Sequence, residues 1–160
     1  QLTEFGTRAA SCNKAFIVCP NFAIGAILMM RFSQEAARVM DRCEIIEYHH
    51  DKKADAPSGT ALKTAEMIAE SHPTINQPDL KETEHIPGAR GGTHHAIPIH
   101  AIRLPGTVAD QEVVFGALGQ RLTIRHDTTS RAAFMPGLCL AIKETASHTG
   151  LVYGLEHLLP

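Results

Sequence analysis

The sequence predicts an α+β fold, a mixed and largely antiparallel sheet with helices packed on one face. Three observations carry this expectation. Over the first 71 residues, short apolar runs alternate with stretches of helical period. After a polar stretch punctuated by Pro and Gly, the period changes to two. The chain, 160 residues long and 44% hydrophobic, has the size of one ordinary domain and can bury a core without disulfides or a structural metal.

Taken in order, residues 15–19 (AFIVC), stopped by Pro20-Asn21, read as a buried strand and a turn. Residues 25–40 are rich in helix formers, with Ile27, Met30 and Ala37 near helical spacing, and read as a helix. The run at residues 44–48 holds adjacent isoleucines, as expected of a strand covered on both faces, and delivers His49 and His50 at its end. The segment Ala56-Pro57-Ser58-Gly59-Thr60 breaks the chain. Residues 61–71 then resume a helical pattern, with Leu62, Ala65 and Ile68 on one face and Ser58 placed as N-cap.

From residue 72 to 93, Pro73, Pro78, Pro87, Gly88, Gly91 and Gly92 predict a long loop. Ile97, Ile99 and Ala101 then alternate with Pro98, His100 and Ile102. Residues 112–115 and 121–125 form two further strand-like runs across Gly116-Ala117-Leu118-Gly119, as antiparallel strands do. A last helix near residues 137–146 and an apolar stretch at 151–159 complete the chain.

The net charge of −2 provides no broad basic field, so attraction to nucleic-acid phosphates is weak and no such partner is expected. No apolar run approaches the roughly 20 residues that span a bilayer, so no membrane role is expected. Cys12, Cys19, Cys43 and Cys139 show no CxxC spacing, which points to reduced thiols and a cytoplasmic setting. The chain opens on Gln1 with neither a basic n-region nor an apolar h-region, and reads as starting inside a longer protein.

Chemistry concentrates at residues 49–60, HHDKKADAPSGT. A histidine, with a reference pKa of about 6.5, can give or take a proton near neutrality, and Lys53 can supply a second proton or fix an anion. Backbone N–H groups at the helix start near Ser58, Gly59 and Thr60, with two hydroxyls beside them, form a cradle for a carboxylate or phosphate. Gly59 lets a ligand approach the backbone closely. Taken singly, these residues have ordinary structural uses: Ser58 as a cap, His49 and His50 as strand-end residues, Lys52 and Lys53 as solvated charges. Together they describe a small-anion site with acid or base capability.

The run EIIEYHHDKKADAPSGTA at residues 44–61 resembles the signature of dihydrodipicolinate reductases, nicotinamide-dependent enzymes of bacterial and plant lysine synthesis. The similarity extends through Pro20-Asn21-Phe22-Ala23-Ile24-Gly25, Pro87-Gly88-Ala89-Arg90-Gly91-Gly92, Thr123-Ile124-Arg125-His126-Asp127 and Phe134-Met135-Pro136-Gly137, and so covers the chain from about Ala15 onward. It implies that His49 is the proton donor or acceptor and Lys53 a second donor. It further implies that His50 touches the substrate, that Gly59 and Thr60, helped by Ser58, hold one of its carboxylates, and that Pro20, Asn21 and Phe22 bring backbone against the nicotinamide ring.

The implied reaction reduces 4-hydroxy-tetrahydrodipicolinate/dihydrodipicolinate to tetrahydrodipicolinate with NADPH or NADH. The substrate is a small dicarboxylate, the assembly a homotetramer formed through the sheet, and the location the cytoplasm, or a plastid in a plant. The implied partition is a remnant of a Rossmann-like α/β domain at 1–22, a substrate-binding and tetramerisation domain at 23–134, and a segment returning to the nucleotide-binding domain at 135–160. No GxxGxxG or GxGxxG follows a strand, so most of the nucleotide-binding half is expected to lie outside this sequence.

Two other readings compete. Ten histidines, among them His49, His50, His94, His95, His100 and His126, could converge on a metal, but their spacings match no ordinary ligand pattern and no metal is expected. The chain could also serve as a non-catalytic assembly module, or as a truncated homologue that binds no cofactor. Arg103 and Arg131 could add positive potential near the ligand, although arginines at strand ends are commonly solvated or salt-bridged.

Overall fold

The structure is a computed structural model that describes residues 1–77, 81 and 83–159. Pro78, one of the chain breakers expected in the long loop, and Pro160 lie outside these residues. The chain forms two compact units, Leu28–Thr129 and Gln1–Ile27 with Ser130–Pro160. A helix, α2 (Ile24–Ala37), runs across the boundary in sequence.

Residues 28–129 build a five-stranded sheet in the order β3-β4-β2-β5-β6, from β2 (Arg42–His49), β3 (Gly92–His94), β4 (Ile97–Arg103), β5 (Ala109–Ala117) and β6 (Gln120–Thr128). Neighbours are antiparallel except β2 and β4, which run parallel. That exception follows from connectivity. Between β2 and β4 the chain inserts α3 (Gly59–Ser71) and a long loop, and parallel neighbours need such a crossover. The α+β class and the mixed sheet expected from the sequence are what the protein adopts.

The core lies between α3 and one sheet face. Ala61, Ala65 and Ile68 of α3 meet Ile45, Ile97, Ile99, Val113 and Phe115 of the strands, all buried. Each large side chain contributes about 1.5–3 kcal/mol on burial. Buried Gln111 of β5 donates to Thr64 Oγ1 of α3 at 2.8 Å and helps fix the helix over the sheet.

Strand β2 departs from the sequence expectation in one respect. Its burial alternates, with Cys43, Ile45 and Glu47 buried and Glu44, Ile46 and Tyr48 only half-buried, so it is not covered equally on both faces. The expected loop at 72–93 also contains structure, because β3 starts at Gly92. Gly91 just before it has φ +76°, and a Cβ there would stand 2.5 Å from the Ile99 carbonyl oxygen, so only glycine lets β3 enter beside β4.

In the second unit, β1 (Ala15–Val18) pairs in parallel with β7 (Gly150–Tyr153), and α4 (Met135–Glu144) starts two residues earlier than expected. The residues of β1 are half-buried, not buried as the apolar run suggested, since the sheet has only these two strands among the described residues. A further helix, α1 (Leu2–Ser11), was not expected from the sequence. Gly6 sits inside it and weakens the helical pattern. Its reason is packing: a Cβ at Gly6 would lie 2.7 Å from Leu151 Cβ of β7.

Candidate functional site

The ends of the two parallel strands bring the site together. Strand β2 ends at His49 and β4 at Arg103, and their register sets these residues side by side. Glu47 lies two residues before His49 and shares its face of the strand. Although charged, it is completely buried, and an isolated buried carboxylate costs several kcal/mol. Three N–H donors and an imidazole nitrogen surround it. Arg103 reaches both carboxylate oxygens, Nη2 to Oε1 at 2.8 Å and Nη1 to Oε2 at 3.0 Å. The backbone N–H of Ser58 donates to Oε1 at 3.2 Å, and His49 Nδ1 is in close hydrogen-bond contact with Oε2. One carboxylate thereby ties the tip of β2, the end of β4 and the start of α3 into one corner.

Ser58 closes that corner as expected, its Oγ accepting the N–H of Ala61 at 3.2 Å as the N-cap of α3. Both its polar ends are engaged within the fold, so its support for a ligand is indirect. Gly59 is the first residue of α3. Its N–H has no carbonyl within the helix to bond, and nothing stands within 4 Å of the position a Cβ would take. Thr60 follows in the same first turn. The helix start therefore offers an open backbone donor and partial positive charge to an anion.

His50 lies just beyond β2, half-buried, and its carbonyl accepts the N–H of Lys53 at 3.1 Å in the turn that follows. Lys53 is not a solvated charge. Its side chain is only 19% exposed and its ammonium holds both oxygens of Asp55 at 2.7 Å. Arg103 also donates to the Asp55 carbonyl at 2.8 Å, so the 49–55 turn is fastened to β4.

Burial pushes the His49 ring below its ordinary value of 6.5; Glu47 pulls it up again, and the charges of Lys53 and Arg103 push it down, leaving it lowered. Burial likewise lowers His126, against the pull of Asp127 and Asp110. A lowered value means that the folded chain binds these protons more weakly than the unfolded chain. Their contribution to stability is therefore complete above about pH 6.5 and is lost as pH falls through the folded values. Urea midpoints are expected to hold steady from about pH 8 down to about 6.5 and to fall below it; a midpoint that rises on acidification would contradict this.

Other candidates belong to the other unit or have other duties. Pro20, Asn21 and Phe22 follow the end of β1 in the other unit, where Asn21 Oδ1 accepts the N–H of Ala23 at 2.8 Å. Arg131 opens an exposed 3-10 turn in that unit. Among the described residues, no three His, Cys, Asp or Glu side chains cluster as metal ligands do. His94 and His95 pack edge to face at 4.3 Å, and His100 bonds Glu44 at 2.8 Å. A groove of about 950 Å³ lies near the opposite end of β2, bordered by Arg42, Glu44, Asn76, Arg90, Val114 and Arg121. It contains neither the histidine pair nor the helix start.

Glu47 and the role of Arg103 were not foreseen. The available signal was a carboxylate on the core-facing side of an apolar strand, two residues from a histidine. Such a group must find donors, and Arg103 ends the neighbouring strand. The resulting corner can hold an anion at the helix start and present an imidazole beside it, which suits proton transfer to a bound acid.

Residues 25–159 match the family described as dihydrodipicolinate reductase, C-terminus. A 4-hydroxy-tetrahydrodipicolinate reductase of Moorella thermoacetica is 59% identical over 145 residues, which cover 89% of this chain and 53% of that relative. One from Listeria innocua is 52% identical over 159 residues, 99% of this chain and 60% of the relative. A solved structure, the dipicolinate-bound dihydrodipicolinate reductase from Paenisporosarcina sp. TG-14, is similar with a TM-score of 0.87 and 49% identity, covering 96% of this chain and 58% of that one. The chain thus spans a little over half the length of these relatives.

Proposed function

Because this chain belongs to the dihydrodipicolinate reductase C-terminus family, we propose that it supplies the substrate site and the proton of a nicotinamide-dependent reductase of lysine (diaminopimelate) synthesis. The reaction converts 4-hydroxy-tetrahydrodipicolinate/dihydrodipicolinate to tetrahydrodipicolinate, the hydroxyl of the former leaving as water to give the conjugated imine. The observation that carries the proposal is the corner in which Glu47 joins His49 to the start of α3. It sets a proton-exchanging group beside an anion cradle, as reduction of a dicarboxylate imine requires.

In this reading one substrate carboxylate rests at the helix start, against Gly59 and the hydroxyl of Thr60, with Ser58 holding the turn from behind. Lys53 faces the second negative charge, which competes with Asp55 for its ammonium, and His50 borders the ring. When bound, NADPH or NADH would supply the hydride for a ring carbon of the conjugated imine. His49 then protonates the enamine-like anion that remains, so hydride and proton together add one equivalent of H2 across the conjugated system. Lys53 is the second donor to the same pocket.

Pro20, Asn21 and Phe22 follow the C-terminal end of a parallel strand, where nucleotides bind in open α/β sheets, and would meet the nicotinamide with their backbone. The glycine-rich turn for the pyrophosphate has no counterpart in this sequence. Assembly as a homotetramer is supported by the half-exposed sheet face, where Ile46, Pro98 and Val114 stand among charged residues. The four cysteines are free thiols, which supports the cytoplasm.

The test is hydride transfer from NADH or NADPH, followed at 340 nm in a version extended N-terminally to the length of the relatives. Thr60→Val is expected to raise KM by about tenfold, the loss of one hydrogen bond to a charged group, with kcat nearly unchanged. Absence of reductase activity in the extended protein, or a Thr60→Val variant with wild-type KM, would count against the proposal.

A further inference from the structure

We infer that Glu47 is a positioning residue: held by Arg103 and the Ser58 N–H, its buried carboxylate keeps the proton of His49 on Nδ1, so that Nε2 is the nitrogen that exchanges a proton with the ligand. The inference rests on the reading of His49 as the proton donor and adds which atom does it and what aims it.

The argument is one of counting donors. An ionised carboxylate only accepts, and its two oxygens offer about four acceptor sites. Arg103 fills two of them and the backbone of Ser58 a third, and neither group can accept a proton. A proton on Glu47 would leave the guanidinium of Arg103, only 19% exposed, without a counter-charge. The carboxylate is therefore ionised. Its fourth partner, Nδ1 of His49, must then donate. Neutral imidazole carries one proton, so Nε2 keeps a lone pair. It has no hydrogen-bond partner among the described residues, and the ring is 15% exposed, enough to be reached.

The proton balance follows. His49 picks up a proton from solvent at Nε2 and becomes imidazolium, with Glu47 retaining the Nδ1–H throughout. The Nε2 proton passes to the carbanion, and the ring returns to the Nδ1–H tautomer. Arg103 and Ser58 act one step further out, by holding the carboxylate still.

Two measurements test this. In the 160-residue chain with 15N-labelled histidine, long-range N–H correlation at about pH 8 reports which ring nitrogen of His49 bears the proton. Protonated Nδ1 is expected; protonated Nε2 in the unmodified chain overturns the inference without any variant having to fold. In Glu47→Gln the amide oxygen is claimed by Arg103 and Ser58, so the amide NH2 faces His49 and the tautomer is expected to invert, whereas Glu47→Asp keeps it. In the extended protein Glu47→Gln is expected to lower kcat by at least about 100-fold, as a wrong tautomer does, with KM within a few-fold and partial rescue in Glu47→Asp. An unchanged kcat in Glu47→Gln overturns the positioning role. The reading of His49 as donor fails separately, if His49→Gln keeps its kcat while the Nδ1–H tautomer is observed.

Discussion

Replacing His49 with Gln is expected to lower kcat by about 10²–10⁴-fold, with KM changed by less than about threefold. Glutamine keeps a comparable reach and a hydrogen-bonding end, so the corner at Glu47 can stay closed, but it cannot exchange a proton near neutrality. The carboxylate cradle proposed at Gly59 and Thr60, the first residues of α3, does not involve the imidazole, so binding should persist. The effect belongs to the chemical step, where the anion left after hydride addition has lost its acid. Steady-state kinetics in the extended protein separate the two parameters, and a fall confined to KM would assign His49 to binding alone.

The second large effect concerns stability. Arg103→Leu removes the only guanidinium among the described residues that reaches Glu47, and leaves a completely buried carboxylate with one backbone donor and His49. Breaking a buried pair from one side costs about 3–5 kcal/mol, and urea denaturation should show a loss of that size. The double variant Glu47→Leu/Arg103→Leu removes the charge as well as its partner and should lose clearly less than Arg103→Leu alone. If the double variant is no more stable than the single one, the penalty comes from lost packing around Arg103, and the electrostatic explanation is wrong.

What could be read from the sequence follows the range over which each cause acts. The end of β2, the Ser58 cap and the start of α3 depend on residues within a few positions of one another, and EIIEYHHDKKADAPSGTA displays them directly. Helix α1 was hidden because Gly6 lowers helix propensity, and its reason, contact with Leu151, lies far away in sequence. The same distance hid the partners of the site. Glu47 looked like one charge in an apolar strand until the parallel pairing of β2 with β4 set Arg103 beside it, 56 positions on. Lys53 was expected as a second donor, but its pairing with Asp55 was not foreseen, because two residues so close in a turn can point either way. Even burial of β2 on both faces was inferred from two adjacent isoleucines, whereas α3 packs on the face of Ile45 and the face of Ile46 is only half-buried.

The most direct measurement is titration of the 15N-labelled chain with dipicolinate, the planar dicarboxylate named with the Paenisporosarcina structure, while backbone amides and histidine rings are followed by NMR. Saturable shifts are expected at His49, His50, Gly59 and Thr60, with the midpoint moved to about tenfold higher dipicolinate in Thr60→Val. Shifts centred instead on Arg42, Arg90 and Arg121 at the far end of β2, with the helix start unmoved, would contradict the placement of the ligand between the histidines and α3.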